Sequence, residues 1–206
     1  MKVEEALQEL RKQEKRNFEQ SVDMIINLKD IDPKRDNISA LVTLPNRIRD
    51  KKVCAFLTKK SNLVDTITAP EFPKYKDKKD LRKLVKSYDF FIAAAKLMPS
   101  VATTFGKALG PTGKMPSPQL GVLMNEEDSS IKTALSKIDS VIKIRVKEPA
   151  IKVSIGKEGM SDEQIISNVK ILYQTVIAAL PVKKDNVKSV MLKLTMSKPL
   201  KVENIA

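Results

Sequence analysis

The first quarter of the chain combines helical spacing of apolar residues with strict alternation of apolar and polar positions. Residues 3 to about 16 place apolar side chains three and four apart, whereas 22–28 and 38–44 alternate. Spacing of three and four predicts an amphipathic helix, and alternation predicts strands buried on one face. Pro33 and the pair Asp36-Asn37 predict the connection between these two strands.

The middle of the chain shows short, continuous apolar runs that alternate with segments of helical spacing. The runs at 53–57 and 90–95 predict buried strands, whereas 63–67 and 79–88 have the spacing of helices. A parallel sheet covered by helices has this order of elements.

Capping residues predict the limits of the next two helices. Pro99 suits the first turn of a helix, and Gly110 suits its C-terminal end. A loop rich in glycine and proline follows, after which Ser129 or Ser130 can cap another helix.

The last third returns to the alternating pattern of the first. Residues 150–155 and 190–196 predict strands. Between them, Ser161 and Gln164 form a capping-box pattern in front of a long helix that Pro181 ends. Two architectures fit these elements: one mixed sheet, or a domain from both termini that an inserted α/β domain interrupts.

Charge differs between the two parts of the second architecture, which the pattern favours. The expected insert, 51–145, carries 18 basic and 9 acidic side chains, a net charge of +9. The expected outer domain, 1–50 plus 146–206, contributes the remaining +4 of the total formal charge of +13. A strongly basic chain favours a polyanionic partner such as RNA or DNA, and charge alone places that partner on the insert.

The composition excludes most catalytic and metal-binding chemistry. The chain has no histidine, and its single cysteine, Cys54, lies in an apolar run that predicts a buried, reduced thiol in a cytosolic protein. No window of 18 apolar residues predicts a membrane span, and the acidic N-terminal segment is unlike a secretion signal. We therefore predict no enzyme, no metal site, no cofactor and no membrane association.

The segment GKALGPTGKMPSP at 106–118 is the nearest approach to a phosphate-binding motif. It is not a Walker loop, because six residues separate Gly106 from Gly113 where that motif has four. Its prolines restrict the backbone and its glycines permit turns. The segment therefore predicts a rigid surface loop that holds Lys107 and Lys114 near phosphate.

Together with the segments 16–28, 42–46 and 189–199, this loop resembles the ribosomal protein L1 family in its archaeal form, over nearly the whole chain. The family's loop pattern G-P-x-G-x-M-P-x-P is matched by Gly110, Pro111, Gly113, Met115, Pro116 and Pro118. The family's closing strand ends in Thr-Met-Gly. Here Thr195 and Met196 match, and Ser197 replaces a glycine, which reaches left-handed conformations more readily.

The resemblance implies an α/β fold of two domains: a split two-layer α/β (α+β) domain from both termini, and an inserted three-layer Rossmann-like α/β domain. It implies that the outer domain holds the main RNA site, which has the residues Phe18, Ser189, Thr195, Met196 and Ser197. In the insert, contact with RNA or tRNA is expected from the loop residues Lys107, Gly110, Pro111, Gly113, Lys114, Met115 and Pro116.

The function implied by the resemblance is that of a structural constituent of the large ribosomal subunit. Such a protein binds ribosomal RNA of the mobile tRNA-exit stalk, assists release of deacylated tRNA, and represses its own messenger RNA through a leader that mimics the ribosomal site. It is expected to be cytoplasmic, ribosome-bound and monomeric when free. Hydroxyls of Thr195 and Ser197 suit phosphate and ribose, and Phe18 and Met196 suit apolar contact with RNA.

Three alternatives remain open at this point. Phe18 and Met196 can instead be ordinary core residues. The chain can be an enzyme that holds a phosphorylated substrate in the Gly/Pro loop, which the missing histidine disfavours. It can also be an RNA chaperone or scaffold that binds many RNAs weakly.

Overall fold

The structure is a computed structural model, and it describes residues 1–12, 16–32, 38–75, 77–146, 148–203 and 205. The chain divides into two compact units. The first consists of Met1–Ile48 with Ser140–Ala206, and the second of Arg49–Asp139. Pro33, Asp36 and Asn37, the predicted connection, lie outside the described residues, as do 13–15 of the predicted first helix.

Helices and strands alternate along most of the described chain. In chain order they are α1 (Val3–Arg11), β1 (Ser21–Leu28), β2 (Ser39–Thr43), β3 (Val53–Leu57), β4 (Asp65–Thr68), α2 (Lys78–Ser87), β5 (Phe90–Ala94), α3 (Met98–Thr112), β6 (Val122–Leu123), α4 (Asp128–Ser140), β7 (Val141–Arg145), β8 (Ala150–Lys157), α5 (Asp162–Ala179), β9 (Val187–Leu194) and β10 (Leu200–Val202). Short 3-10 helices occupy Ala69–Tyr75, Ala95–Leu97 and Lys183–Asn186.

The first unit is built on an antiparallel sheet in the order β10-β9-β1-β8. Buried positions alternate with partly exposed ones along β1 and β9, because successive side chains of a strand point to opposite faces. The buried positions share one apolar core with α1 and α5, and the β2-β7 ladder joins this core. The opposite side, here called the open face, presents Asp23, Ile25, Asn27, Lys152, Ser154, Ser189, Met191 and Lys193.

The second unit is a three-layer arrangement around a parallel sheet in the order β4-β3-β5-β6. Every residue of β3 is buried, because helices cover both faces of the sheet. One face packs against α2 and α3, and the other packs against α4. The predicted fold class, α/β with a Rossmann-like three-layer part, is therefore confirmed.

The strand β7 belongs to the first unit. Its residues pair in antiparallel register with β2, from Ser39 opposite Arg145 to Thr43 opposite Val141. The sequence-based insert, 51–145, includes this strand, whereas the second compact unit ends at Asp139. Its pairing with a strand about a hundred residues earlier in the chain places β7 in the first unit.

Two predictions of helical structure were wrong. The segment 63–67 does not form a helix; Asp65–Thr68 is an edge strand, since Thr66 and its β-branched neighbours favour strand geometry. The helix α3 does not end near Gly110 but continues to Thr112. Gly113 caps it with a φ of 73°, and the amides of Gly113 and Lys114 donate to carbonyls of the last turn.

The start of α4 also differs from the prediction. Ser129 and Ser130 are not caps, because they lie inside the first turn of a helix that begins at Asp128. The carbonyl of Glu127 accepts the amide of Ile131 at 3.0 Å, so the cap position is Glu127, two residues before Ser129. The short strands β6 and β10 had no counterpart in the pattern, because two or three residues are too few to show alternation.

The capping box before α5 is confirmed. The side chain of Ser161 accepts the amide of Gln164, and the side chain of Gln164 accepts the amide of Ser161, both at 3.4 Å. Inside this helix Asn168 is buried, and its side chain bonds both the amide and the carbonyl of Asn46 and the carbonyl of Ile155. Within the described chain, every buried side-chain nitrogen or oxygen has a hydrogen-bond partner.

Cys54 is expected to resist thiol reagents in the folded protein. Burial, and to a smaller extent the carboxylate of Asp65, raises the pKa of the Cys54 thiol from an ordinary value of 9.0 to about 12. Because the thiolate is the reactive form, a disulfide reagent at neutral pH should react only after denaturation. The unfolded chain loses this proton at a lower pH than the folded chain. The thiol's contribution to the free energy of unfolding should therefore be complete below pH 9.0 and decline up to about pH 12. Rapid modification of native protein would contradict this burial.

Candidate nucleic-acid interface

The segment before β1 and the turn after β9 lie side by side in the first unit. The amide of Ser21 donates to Oγ1 of Thr195 at 3.0 Å, and the amide of Thr195 donates to the carbonyl of Ser21 at 3.1 Å. One residue further along, the amide of Met196 donates to Oε1 of Gln20 at 3.1 Å. Gln20 is itself buried, so its side chain holds the turn in a fixed position. Phe18 lies two residues before it in the chain.

Phe18 and Met196 are surface residues. Their side chains are 51% and 65% exposed, respectively, although both are large and apolar. The interpretation of these two residues as core packing is therefore wrong. Two exposed apolar side chains beside hydroxyl groups and backbone amides are typical of a surface that contacts a partner.

The serine at position 197 fits its turn without a left-handed backbone. The positive φ angles among the described non-glycine residues are those of Asp30 and Lys183, so Ser197 adopts an ordinary conformation. Its Oγ accepts the amide of Leu194 at 2.7 Å, and its own amide donates to the carbonyl of Leu194 at 3.1 Å. The Ser197 hydroxyl therefore stabilises the turn through a hydrogen bond that a glycine at this position cannot make.

Ser189 lies at the far end of β9, on the open face. It lies six positions before Thr195 in the chain, which corresponds to about 20 Å along an extended strand. Its Oγ accepts the side-chain amide of Asn27 at 3.0 Å, across the β1-β9 pair. The structure thus brings Thr195, Met196 and Ser197 together at one end of the open face and leaves Ser189 at the other.

Side chains that the sequence did not single out fill the space between these two ends. Ile25 lies opposite Met191 on β9 and opposite Lys152 on β8, and Asp23 lies opposite Lys193. These pairs mix apolar surface with two lysines and one carboxylate. The alternation in β1 places Asp23 and Ile25 on the side of the sheet away from the core. Their cross-strand neighbours, however, are known only from the register of the paired strands.

The Gly/Pro loop of the second unit is held tightly to its own core. The ammonium of Lys114 donates to the carbonyls of Val85 and Tyr88, each at 2.7 Å, at the C-terminal end of α2. Pro116 is buried, and Met115 packs against the same core as α2 and α3. Lys114 therefore has two carbonyl partners within the protein, and its contact with RNA stays a prediction.

The remaining predicted residues of this loop differ in exposure. Lys107, Gly110 and Pro111 lie on the surface of α3, and Gly113 is half-buried. A glycine is required further on at Gly121, because a Cβ there would lie 2.9 Å from the carbonyl oxygen of Phe91. The exposed part of the predicted contact surface is thus the last turns of α3 rather than the loop that follows.

A separate cleft of about 630 Å³ lies at the carboxyl end of the parallel sheet, where many α/β proteins bind ligands. Its charged lining residues are Lys59, Lys60, Lys96, Glu126, Glu127 and Asp128. Equal numbers of positive and negative side chains do not favour a phosphorylated substrate, and the Gly/Pro loop contributes no residue to the cleft. The charge of this cleft therefore gives no support to the enzyme interpretation.

The model of the Ribosomal protein L1p/L10e family matches residues 10–198, and the chain belongs to this family. It is therefore a ribosomal protein, a structural component of the translation machinery, and not an enzyme.

Curated relatives are similar in sequence to this protein over almost the full length of the chain. The large ribosomal subunit protein uL1 of Pyrococcus horikoshii is 35% identical, with 98% of this chain and 95% of the relative covered. The proteins of the same name from Thermococcus kodakarensis and Methanobrevibacter smithii are 35% and 34% identical, with 97% and 98% of their lengths covered. The predicted resemblance to the archaeal form of the family is thereby confirmed. Within the described residues, every helix is too short or too polar to cross a membrane.

Proposed function

We propose that the open face of the first unit, with the exposed turn after β9, binds folded ribosomal RNA of the large-subunit stalk. The observation that carries the proposal is the joint exposure of Phe18 and Met196 next to a turn fixed by Gln20 and Ser197. The relatives' name, large ribosomal subunit protein, supports this choice of partner. On this proposal the chain is bound to ribosomes in the cytoplasm.

The chemistry of this surface suits recognition by shape. Thr195 and Ser189 offer hydroxyls that can contact phosphate and ribose, while Met196 and Phe18 offer apolar area to exposed bases. Because these groups stand on a hydrogen-bonded sheet and a bonded turn, little conformational entropy is lost on binding. Lys152 and Lys193 add charge that favours a phosphate backbone without choosing a sequence.

Lysine footprinting with the stalk RNA tests which face binds. Acylation of Lys152 and Lys193 on the open face is expected to fall when RNA is added. Lys170 on α5 is also exposed and serves as the matched control, whose acylation should not change. Equal protection of Lys170, or full reactivity of both open-face lysines in the complex, would exclude the open face as the RNA surface.

We also propose that the second unit contacts exiting tRNA and assists release of the deacylated molecule. Residues 49–139 of this unit carry 17 basic and 10 acidic side chains, and this net charge of +7 supports contact with a second RNA. Lys107 lies exposed near the end of α3. Such contact depends on counterion release, so it should be weaker and more salt-sensitive than binding of the stalk RNA.

Repression of the chain's own messenger RNA is the third element of the proposal, and it rests on the family resemblance. A leader that folds like the ribosomal RNA site can bind the same open face, because that face recognises RNA by its shape rather than by a long base sequence. The free protein is proposed to act as a monomer. In cell-free translation, added protein should repress a reporter carrying this leader, and excess stalk RNA should relieve the repression.

A further inference from the structure

The helix α2 carries the densest group of positive charge among the described helices. Its ten residues, KKDLRKLVKS, include five basic side chains and one acidic one. All five basic residues are exposed, and they are Lys78, Lys79, Arg82, Lys83 and Lys86. Lys74, in the preceding 3-10 helix, is exposed as well.

These cations occupy one continuous side of the helix. At 100° per residue, the five basic positions fall within an arc of about 140°, and they extend about 12 Å along the axis. Leu81, Leu84 and Val85 occupy the other side and are buried against α3 and the sheet. The result is a cationic ridge on a helix whose position the core fixes.

Few of these charges are neutralised inside the protein. Among the described side chains, the ion pair recorded on this ridge joins Lys83 to Asp80, at 4.0 Å. Lys78, Lys79, Arg82 and Lys86 have no acidic partner within this distance in the described part of the chain.

The arrangement also works against the stability of the helix. Lys78 and Lys79 stand in the first turn, where positive charge opposes the helix dipole. The spacing from Lys78 to Arg82, and from Arg82 to Lys86, places like charges one turn apart, which destabilises a helix. Helix stability therefore does not explain this choice of residues, whereas a polyanionic partner does.

Two hydrogen bonds from Lys114 fix the C-terminal end of the ridge. Lys114 donates to the carbonyls of Val85 and Tyr88, so the loop after α3 is attached to the C-terminal end of α2. This interaction neutralises the negative end of the helix dipole and holds the ridge next to the exposed end of α3.

We propose that this ridge on α2 is the phosphate-binding surface of the second unit and that it engages the backbone of an RNA helix without sequence preference. The inference deepens the proposed contact between the second unit and RNA, and it rests on that proposal. An RNA helix fits better than an acidic protein, because phosphates follow one another at close intervals and match a ridge of evenly spaced cations.

The test compares two full-length variants that lose the same number of charges. In the ridge variant, the substitutions are Lys78→Gln, Lys79→Gln, Arg82→Gln and Lys86→Gln. In the control variant, four other exposed lysines are replaced, by Lys59→Gln, Lys96→Gln, Lys132→Gln and Lys170→Gln. Binding of a short RNA duplex of arbitrary sequence, and of the stalk RNA, is measured for each across a range of salt concentrations.

The ridge variant should bind the arbitrary duplex roughly 10- to 100-fold more weakly at low salt, with the slope of log affinity against log salt reduced by about 3. The control variant should lose much less affinity. Both variants should have a melting temperature equal to or above that of the unsubstituted chain. This result would exclude unfolding as the cause of the weaker RNA binding. Unchanged duplex binding by the ridge variant, or equal losses in both variants, would overturn the inference.

The stalk RNA distinguishes this inference from the proposed function. If the open face is the specific site, the ridge variant should keep its preference for stalk RNA over the duplex. Loss of that preference in the ridge variant would place the specific site on the ridge and overturn its assignment as a surface without sequence preference. Absence of any preference in the unsubstituted chain would instead count against the open face, whatever the ridge variant does.

Discussion

Replacement of Met196 by aspartate is expected to weaken binding of the stalk RNA by roughly 30- to 1,000-fold, or about 2–4 kcal/mol. The side chain is 65% exposed, so the substitution removes apolar contact and places a carboxylate against phosphates. Folding should be unaffected, because the backbone bond from Met196 to Gln20 does not involve the replaced side chain. The free energy of unfolding should change by less than about 0.5 kcal/mol, as for other surface positions.

Met124→Asp is the matched control. Met124 is 85% exposed but belongs to the second unit, so the same chemical change there should leave stalk-RNA affinity nearly unaltered. Equilibrium titration gives the affinities, and thermal denaturation gives the stabilities. Unfolding of Met196→Asp would contradict the tolerance expected at this exposed position, and full affinity in the folded variant would remove Met196 from the RNA site.

Phe105→Ala is expected to lower the free energy of unfolding of the second unit by about 3–5 kcal/mol. The Phe105 ring is fully buried, and its centroid lies 4.8 Å from that of Phe56, 5.2 Å from that of Phe72 and 5.8 Å from that of Tyr75. Truncation leaves a cavity among these rings and removes their mutual contacts. Chemical denaturation followed by circular dichroism measures the loss.

Thr103→Ala on the same helix provides the comparison. Thr103 is exposed, and its hydroxyl bonds only within the helix, to the carbonyl of Pro99 at 2.9 Å. Alanine favours helix formation, so this change should stay within about 0.5 kcal/mol. A similar loss in both variants would mean that helix α3, rather than the aromatic cluster around Phe105, limits the stability of the unit.

Local patterns predicted the elements whose limits are set by neighbouring residues. The capping box of Ser161 and Gln164 was correct because both partners lie within one helical turn. The end of α3 was not, because Gly110 and Gly113 are equally suited to a helix C-terminus. Of the two, Gly113 is the C-cap and adopts the left-handed conformation.

The sequence pattern did not show which strands pair with one another over long distances in the chain. The segment 63–67 has the apolar spacing of a helix, yet Ile67 pairs with Phe56 at the edge of a parallel sheet. In the same way, β7 follows a helix of the second unit but pairs with β2 of the first. Strand pairing of this kind depends on register between segments far apart in the chain.

The candidate site was predicted in part. Phe18, Ser189, Thr195, Met196 and Ser197 came from the family resemblance, and their role in RNA binding stays a prediction. The charge count indicated the second unit but not which of its surfaces carries the charge. The structure identifies that surface as the outer side of α2, because burial of Leu81 and Leu84 directs the basic side chains of this helix outward.

The most direct measurement is equilibrium binding of the full chain to the large-subunit stalk RNA and to a structured RNA of equal length, repeated across salt concentrations. Salt weakens phosphate contacts with both RNAs, whereas contacts of the open face with one RNA shape are less affected. A strong preference for the stalk RNA that persists at moderate salt is the expected result. Equal affinity for both RNAs, with both affinities lost as salt rises, would contradict a specific RNA site. The protein would then be a basic protein that binds RNA without preference.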